Sequence, residues 1–245
     1  MSGHSKWANI QHKKSAVDAK RGKIFTKILR EIVISVRLGG SDPNGNPRLR
    51  SAIIKAKEAN MPKDTLERAI KKGAGELEGS NYEEFNYEGY GPDGVAILMD
   101  IMTDNKNRTA GEVRSLMTKL GGNLGTQGSV SYIFTKKGII VFDSKELTED
   151  KAMEIGIDAG ADDIINEGET IDIYTTPENF EKVLKAFDDK NIPHLSAEVT
   201  MIPSTYQDVP EERIEKVISL IERLEDLDDV QAVYHNLNIP DGYKG

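Results

Sequence analysis

Cations are the residues of this sequence best suited to bind a ligand, and they are concentrated near the start of the chain. Residues 1–75 hold 17 Lys and Arg against 6 Asp and Glu, a formal charge of +11. The other 170 residues hold 15 against 35, a formal charge of −20, and together these give the net −9 of the chain. Such charge asymmetry predicts a polyanionic partner for the basic part. Nucleic acid is the commonest such partner. Lys and Arg bind its phosphates regardless of base sequence.

We predict that nucleic acid contacts the basic segment through its cations and through the single tryptophan. An aromatic ring flanked by cations can stack on an unpaired base, although a lone tryptophan more often packs inside a fold. For any one Lys or Arg, a solvated position on a helix is the simpler interpretation, so the prediction depends on the whole set. The predicted contacts are Lys6, Trp7, His12, Lys13, Lys14, Lys20, Arg21, Lys23, Lys27, Arg30, Arg48, Arg50, Lys55, Lys71 and Lys72.

A second candidate lies just before a predicted helix, in a run of polar and basic residues. We predict secondary contacts to a nucleic-acid backbone or base from Asn105, Asn107 and Arg108. The alternative is that this run caps the helix that follows, with Thr103 or Asp104 as the capping residue.

No residue pattern in the sequence indicates catalysis, a metal site or a cofactor. Cysteine is absent, and the four histidines lack the spacing of metal ligands. The aspartate pairs 162–163, 188–189 and 228–229 are interpreted as solvated ends of secondary-structure elements. The glycine-rich run 121–128 lacks the Gly-Lys-Ser/Thr ending of a phosphate-binding loop and follows a helix, so a helix end and a turn explain it better. We therefore predict that the protein is not an enzyme and has no catalytic residue, metal or cofactor.

The basic segment is predicted to fold as a small helical bundle. Apolar residues recur at helical spacing over 24–36, and the glycines at 39–40 end that helix. Further helices are predicted from about residue 47 and over 62–73, and a shorter one between about residues 12 and 21. The cations that share one face of the first long helix are Lys23, Lys27, Arg30 and Arg37.

The acidic remainder is predicted to be α+β. A hairpin over residues 82–102, a helix ending near residue 120 and a strand at 129–134 come first. A unit ordered βαββαβ follows between residues 138 and 202, which is the ferredoxin-like arrangement. Its first and last strands pair antiparallel, so its ends exit together and it can be inserted into another domain. A helix at 211–225 and a strand at 230–234 would then complete the interrupted domain.

These elements predict an α+β protein of three domains. The first is a basic helical domain at 1–78. The second is a discontinuous α+β domain at 79–136 and 204–245, and the third is a ferredoxin-like domain at 137–203 inserted in it.

Several long motifs in the sequence resemble the YebC/PmpR family. In the basic segment they are G-H-S-K-W-A-N-I-Q-H-K-K, A-K-R-G-K-I-F-T-K-I-L-R-E-I, N-P-R-L-R-S-A-I-I-K-A-K-E-A-N-M-P and E-R-A-I-K-K-G-A-G. The later motifs are Y-E-G-Y-G-P-D-G-V-A-I-L, T-D-N-K-N-R-T and G-G-N-L-G-T-Q-G-S-V. The resemblance covers nearly the whole chain and implies three domains with a discontinuous middle one. Family members are commonly described as DNA-binding transcriptional regulators, a mitochondrial branch activates translation of cytochrome c oxidase subunit I, and bacterial members have been linked to relief of stalled ribosomes.

We predict a nucleic-acid-binding regulator of gene expression, and two forms of this function stay open. A DNA-binding transcriptional regulator agrees with the commonest description of the family. An RNA- or ribosome-binding translation factor agrees with the lack of a recognisable helix-turn-helix and with the −20 charge, which would resist lying along a duplex. The acidic α+β part is available for protein partners. No run approaches the roughly 18 apolar residues of a membrane span, so we predict a cytoplasmic protein without a membrane partner.

Overall fold

The computed structural model describes residues 21–78 and 81–240, with side chains from residue 23 onward. These residues form two compact units, one of residues 21–129 and 215–233 and the other of residues 130–214 and 234–240. The short helix predicted between residues 12 and 21 lies almost wholly outside the described residues.

Within the described residues, helices and strands segregate as an α+β fold. The helices are α1 (Arg21–Gly39), α2 (Pro47–Glu58), α3 (Lys63–Gly73), α4 (Lys106–Lys119), α5 (Glu149–Ala159), α6 (Phe180–Asp188) and α7 (Glu211–Glu225). The strands are β1 (Glu83–Tyr90), β2 (Ala96–Thr103), β3 (Asn123–Leu124), β4 (Phe134–Asp143), β5 (Asp163–Asn166), β6 (Thr170–Thr175), β7 (Ser196–Pro203) and β8 (Val230–His235).

The first unit begins with the predicted bundle of three long helices, α1 to α3. Their shared core takes Ile32 and Val36 from α1, Leu49 and Ala52 from α2, and Ala69 from α3. These apolar residues recur every three or four positions, which places them on one face of each helix. The helical periodicity of the basic segment therefore predicted both the helices and the faces that they bury.

Asn46 joins the end of α1 to the start of α2. Its side-chain oxygen accepts a hydrogen bond from the backbone N–H of Leu49 at 3.0 Å, which caps α2. Its side-chain nitrogen donates to the carbonyl oxygens of Ser35 at 2.7 Å and Gly40 at 2.8 Å. Because Asn46 is buried, these three bonds fix the connection between the two helices.

A four-stranded sheet in the order β3-β1-β2-β8 completes the first unit. β1 and β2 form the predicted antiparallel hairpin, with Tyr90 opposite Ala96. β2 is buried almost throughout, in keeping with its largely apolar sequence. The edge strand β3 is only two residues long and pairs antiparallel with the end of β1.

The strand predicted at residues 129–134 is wrong. Ser131–Ile133 form a single turn of 3-10 helix, and β4 begins only at Phe134. The alternation of polar and apolar residues fits a strand, but the chain turns here through the hydrogen bond from Ile133 N–H to the Val130 carbonyl at 2.9 Å. The side chain of Tyr132 is left exposed on that turn.

The second unit has the predicted ferredoxin-like arrangement. Its sheet has the order β5-β6-β4-β7, and β4 pairs antiparallel with β7 so that Phe134 lies opposite Pro203. The start of the first strand thus lies beside the end of the last, as predicted. Helices α5 and α6 pack on this sheet, where the rings of Phe142 and Phe187 lie 4.8 Å apart between centroids. In chain order, residues 130–210 of this unit lie between β3 and α7.

Candidate nucleic-acid interface

Part of the predicted nucleic-acid interface precedes the described residues. Lys6, Trp7, His12, Lys13, Lys14 and Lys20 lie outside them, and only the backbone of Arg21 is described, at the start of α1. Contacts from these seven residues therefore stay predictions.

The basic face of α1 contacts an acidic stretch of the same chain. The Lys23 ammonium lies 3.5 Å from a carboxylate oxygen of Asp226. Lys27 donates to the carbonyl oxygen of Glu225 at 2.6 Å. Burial lowers the pKa of Lys27, against the opposing effect of nearby carboxylates such as that of Glu225. Lys23 and Lys27 therefore already have acidic or carbonyl partners within the first unit.

Arg30 makes hydrogen bonds to three other residues of the first unit. Its guanidinium donates to a carboxylate oxygen of Asp229 at 2.6 Å and to the carbonyl oxygens of Asp228 at 2.6 Å and Met102 at 3.1 Å. Both side chains of the ion pair are largely buried, at 12% exposure for Arg30 and 4% for Asp229. A buried ion pair needs such additional hydrogen bonds to offset the cost of removing both charges from water.

Asp229 is the centre of a polar network in the first unit. Its second carboxylate oxygen accepts from the hydroxyls of Thr109 at 2.6 Å and Thr103 at 3.0 Å and from the Arg108 guanidinium at 2.9 Å. Burial raises the pKa of the Asp229 carboxyl, but the hydrogen bonds from Thr109, Arg108 and Arg30 outweigh burial and hold the pKa below its ordinary value. The interpretation of Asp229 as a solvated element end is therefore wrong, because it is buried and ionised among these donors.

Arg48 also has acidic partners inside the chain. It donates to both carboxylate oxygens of Glu31, at 2.6 Å and 2.9 Å, and to the carboxylate of Glu84. The hydrogen bonds with Glu31 and then with Glu84 raise the pKa of the guanidinium. This planar, bidentate geometry is the one in which arginine holds carboxylates best.

The remaining predicted cations lie on α2 and α3 and are exposed. Arg50 makes only long hydrogen bonds, at 3.3 Å and 3.5 Å, to the carbonyl oxygens of Pro43 and Asn44. Across the described part of the chain, Lys55, Lys71 and Lys72 have no carboxylate within ion-pair distance. These side chains keep their charge available for an outside partner.

Sequence reasoning left out two further cations of this kind. Lys57 and Arg68 are likewise exposed, and neither has an acidic partner within the ranges that the structure describes. The spacing of Arg68 and Lys72, four residues apart on one helix, was the available signal, because it places both on one face of α3.

A groove separates α1 from α3 and has a volume of about 350 Å³. Leu29 and Val33 of α1 supply apolar lining, and Arg68 and Lys72 of α3 supply positive charge. Tyr82, which precedes β1, also lines the groove. The Arg30 guanidinium lies 5.3 Å from the centroid of the Tyr82 ring, within the range of a cation–π contact.

The second predicted contact region acts mainly as a helix cap. Asn105, not Thr103 or Asp104, is the capping residue of α4, since its side-chain oxygen accepts from the Arg108 N–H at 3.0 Å. The Arg108 side chain bonds Asp104 and Asp229. Asn107 is exposed. Nucleic-acid contacts from Asn105, Asn107 and Arg108 stay a prediction. The structure shows the alternative, helix capping, with Asn105 as the capping residue.

Backbone N–H groups of the glycine-rich loop after α4 donate hydrogen bonds to a residue of the same chain. Gly121 has a φ of +87° and ends the helix, as predicted for this run. The N–H of Gly125 donates to the Glu88 carbonyl at 2.7 Å, and the N–H of Gly128 donates to the Glu88 carboxylate at 2.8 Å. A buried glutamate therefore occupies N–H groups that a phosphate-binding loop would present to its ligand.

Residues 21–78 and 81–240 contain no group of three or more His, Asp or Glu side chains arranged to hold a metal ion. Within the same ranges, no helix has the length and apolar character needed to cross a membrane.

The fold and the charge distribution define an α+β protein whose cationic helical bundle precedes two sheets, the second of them ferredoxin-like. Family models confirm this class: the TACO1/YebC protein N-terminal domain matches residues 5–76, and the TACO1/YebC second and third domain matches residues 82–237. The chain belongs to the TACO1/YebC family. The resemblance found in the sequence motifs is thereby confirmed.

Relatives and a solved structure match over nearly the full length. A probable transcriptional regulatory protein of Treponema pallidum (strain Nichols) is 55% identical over 240 residues, 98% of either chain. Another, of Idiomarina loihiensis, is 56% identical over 243 residues, 98% of this chain and 97% of the relative. The crystal structure of a conserved hypothetical protein, Aq1575, from Aquifex aeolicus has a TM-score of 0.80 and 50% identity, covering 97% of this chain and 98% of that one.

Proposed function

We propose that this protein regulates transcription by binding nucleic acid through α2, α3 and the basic residues that precede α1. The observation that carries the proposal is the difference between two sets of cations. Those of α1 contact acidic groups and carbonyls of the chain, whereas Lys55, Lys57, Arg68, Lys71 and Lys72 are exposed without an acidic partner in the described ranges. The name given to the relatives, probable transcriptional regulatory protein, supports the regulatory role.

The charge of the rest of the chain limits where the nucleic acid lies. Residues 76–245 carry a formal charge of −20, and like charge repels a phosphate backbone. We therefore place the phosphates on α2 and α3, with Lys6, His12, Lys13, Lys14 and Lys20 extending the contact. The acidic α+β part is then available to a protein partner, and we place the protein in the cytoplasm.

Salt dependence of binding tests the proposed surface. We expect the full chain to bind a labelled duplex with a dissociation constant that rises steeply with salt, because each phosphate that a cation neutralises releases counterions. Changing Lys55, Lys57 and Lys71 to Gln together should lower affinity and reduce the slope of log K against log salt by about 0.9 for each phosphate no longer neutralised. The matched control changes Lys136, Lys145 and Lys151, three exposed lysines of the second unit.

An equal reduction of the slope in the two triple variants would show that only net charge matters and would reject the surface. Binding by neither wild-type chain nor variants would reject the function itself.

Crosslinking in cells, followed by identification of the bound nucleic acid, tests the level of regulation. Promoter DNA is the expected result. Predominantly ribosomal or messenger RNA would contradict a transcriptional role and favour the RNA-binding translation factor.

A further inference from the structure

We propose that the groove between α1 and α3 holds one unpaired nucleotide, with its base against Tyr82 and its phosphate between Arg68 and Lys72. This inference rests on the proposed function and deepens it, because it specifies an unpaired strand as the ligand of the groove.

The size of the groove suits a single nucleotide. Its volume of about 350 Å³ is at the low end of small-ligand pockets, which span roughly 300–1,000 Å³. Leu29, Val33 and Ala69 give it apolar lining suited to a base. The bases of a duplex are stacked inside it, so only an unpaired or extruded nucleotide can place its base here.

The charge of the groove suits a phosphate. Arg68 and Lys72 lie four residues apart on α3, where two like charges repel each other. A phosphate between them relieves this repulsion, and none of the described residues that line the groove is acidic. The hydroxyl-bearing Thr65 lies one turn before Arg68 on the same lining face and adds a hydrogen-bonding group.

The aromatic wall of the groove is held in place before a ligand binds. Arg30 contacts the Tyr82 ring at 5.3 Å and is itself fixed by the 2.6 Å bond to Asp229. A preorganised ring loses little conformational freedom on binding, which favours stacking of a base. Arg30 thus acts as a positioning residue for Tyr82, while Arg68 and Lys72 supply the free charge.

Fluorescence anisotropy with the full chain tests the groove. The probes are a labelled oligouridylate, the oligothymidylate of the same length, a blunt duplex of that length and an abasic single strand. We expect Tyr82→Leu to weaken binding to the two base-containing single strands by about 5- to 150-fold, the range for loss of one base–aromatic stack. Tyr82→Phe should bind as the wild type does, and the abasic strand should not distinguish the three proteins.

Neighbouring lysines provide a charge-matched comparison. Lys71→Gln removes an exposed charge of α3 that does not line the groove, so it measures the effect of one ordinary phosphate-binding lysine. Lys72→Gln should weaken binding more than Lys71→Gln does on single strands and equally on the duplex. Thermal unfolding of every variant shows whether it is folded, and the lysine pair decides the matter if Tyr82→Leu does not fold.

Three outcomes separate this inference from the proposed function. If the wild type and Tyr82→Leu bind single strands equally well, and Lys72→Gln binds them as well as Lys71→Gln does, the nucleotide-binding role of the groove is rejected. The proposed function then still stands. Equal weakening on the abasic strand also rejects that role of the groove. No binding of any probe by the wild-type chain overturns both.

Discussion

The Arg30 guanidinium and the Asp229 carboxylate, 199 residues apart in the sequence, meet at 2.6 Å in a largely buried ion pair. Thr103, Thr109 and Arg108 bond the other oxygen of the same carboxylate. One aspartate thus links the first helix to the sheet that follows it, and it neutralises a cation that charge alone would assign to phosphate.

We expect Asp229→Asn to destabilise the first unit by about 3 kcal/mol, because it leaves two guanidinium groups without their shared buried anion. Urea unfolding measures the difference in the free energy of unfolding. Asp104→Asn is the control, since Asp104 forms a more exposed pair with Arg108 and should change stability by about 0.5 kcal/mol. A similar destabilisation in both variants would show that the buried network contributes nothing beyond a surface ion pair.

The lowered pKa of Asp229 predicts a pH dependence of stability with a definite sign. An unfolded aspartate titrates near its ordinary pKa of 3.8, and the folded pKa is lower. The unfolded chain therefore binds the proton first as pH falls, so the contribution of Asp229 is complete above about pH 5 and disappears as pH falls through the folded pKa. Measured from pH 7 downward, the difference in unfolding free energy between wild type and Asp229→Asn should shrink below about pH 4. A difference that stays constant to the lowest pH would contradict the lowered pKa.

The polar connection at Asn46 predicts a large effect for a small side chain. Asn46→Ala removes the cap of α2 and two hydrogen bonds to buried or half-buried carbonyls, so we expect a decrease of about 2–3 kcal/mol in unfolding free energy. Asn44→Ala, in the same turn but exposed, should cost less than about 0.5 kcal/mol. Chemical denaturation of the two variants compares them directly, and equal costs would contradict the role given to Asn46.

Periodicity predicted most of the fold because it reports which face of an element is buried. Local spacing of apolar residues predicted both the buried face of α1 and the βαββαβ order, and both are confirmed. The prediction of a strand at residues 129–134 was wrong because alternation of polar and apolar residues is compatible with a tight turn as well as with a strand. Local pattern does not contain the information that separates the two.

The candidate site was only partly predictable for a different reason. The even spacing of Lys23, Lys27 and Arg30 shows that they share a face of α1, but not what that face meets. Their partners, Glu225 to Asp229, lie about 200 residues away, and nothing in the local pattern connects the two stretches. Tyr82 was overlooked because the sequence assigned it to the first strand of the predicted hairpin, and its place beside α1 and α3 appears only in the folded chain.

The two faces of the helical bundle predict different effects of the same substitution on nucleic-acid binding. Lys23→Gln removes a charge that already faces Asp226, so we expect the slope of log K against log salt to stay unchanged. Lys55→Gln removes a charge with no acidic partner in the described ranges, and the slope should fall by about 0.9 on a duplex and about 0.7 on a single strand. Fluorescence titrations at several salt concentrations compare the two variants on the same probe, with equal net charge in both. A larger change of the slope for Lys23→Gln would indicate that the phosphates bind the basic face of α1. It would also mean that the contacts of this face with Glu225, Asp226 and Asp229 break when nucleic acid binds.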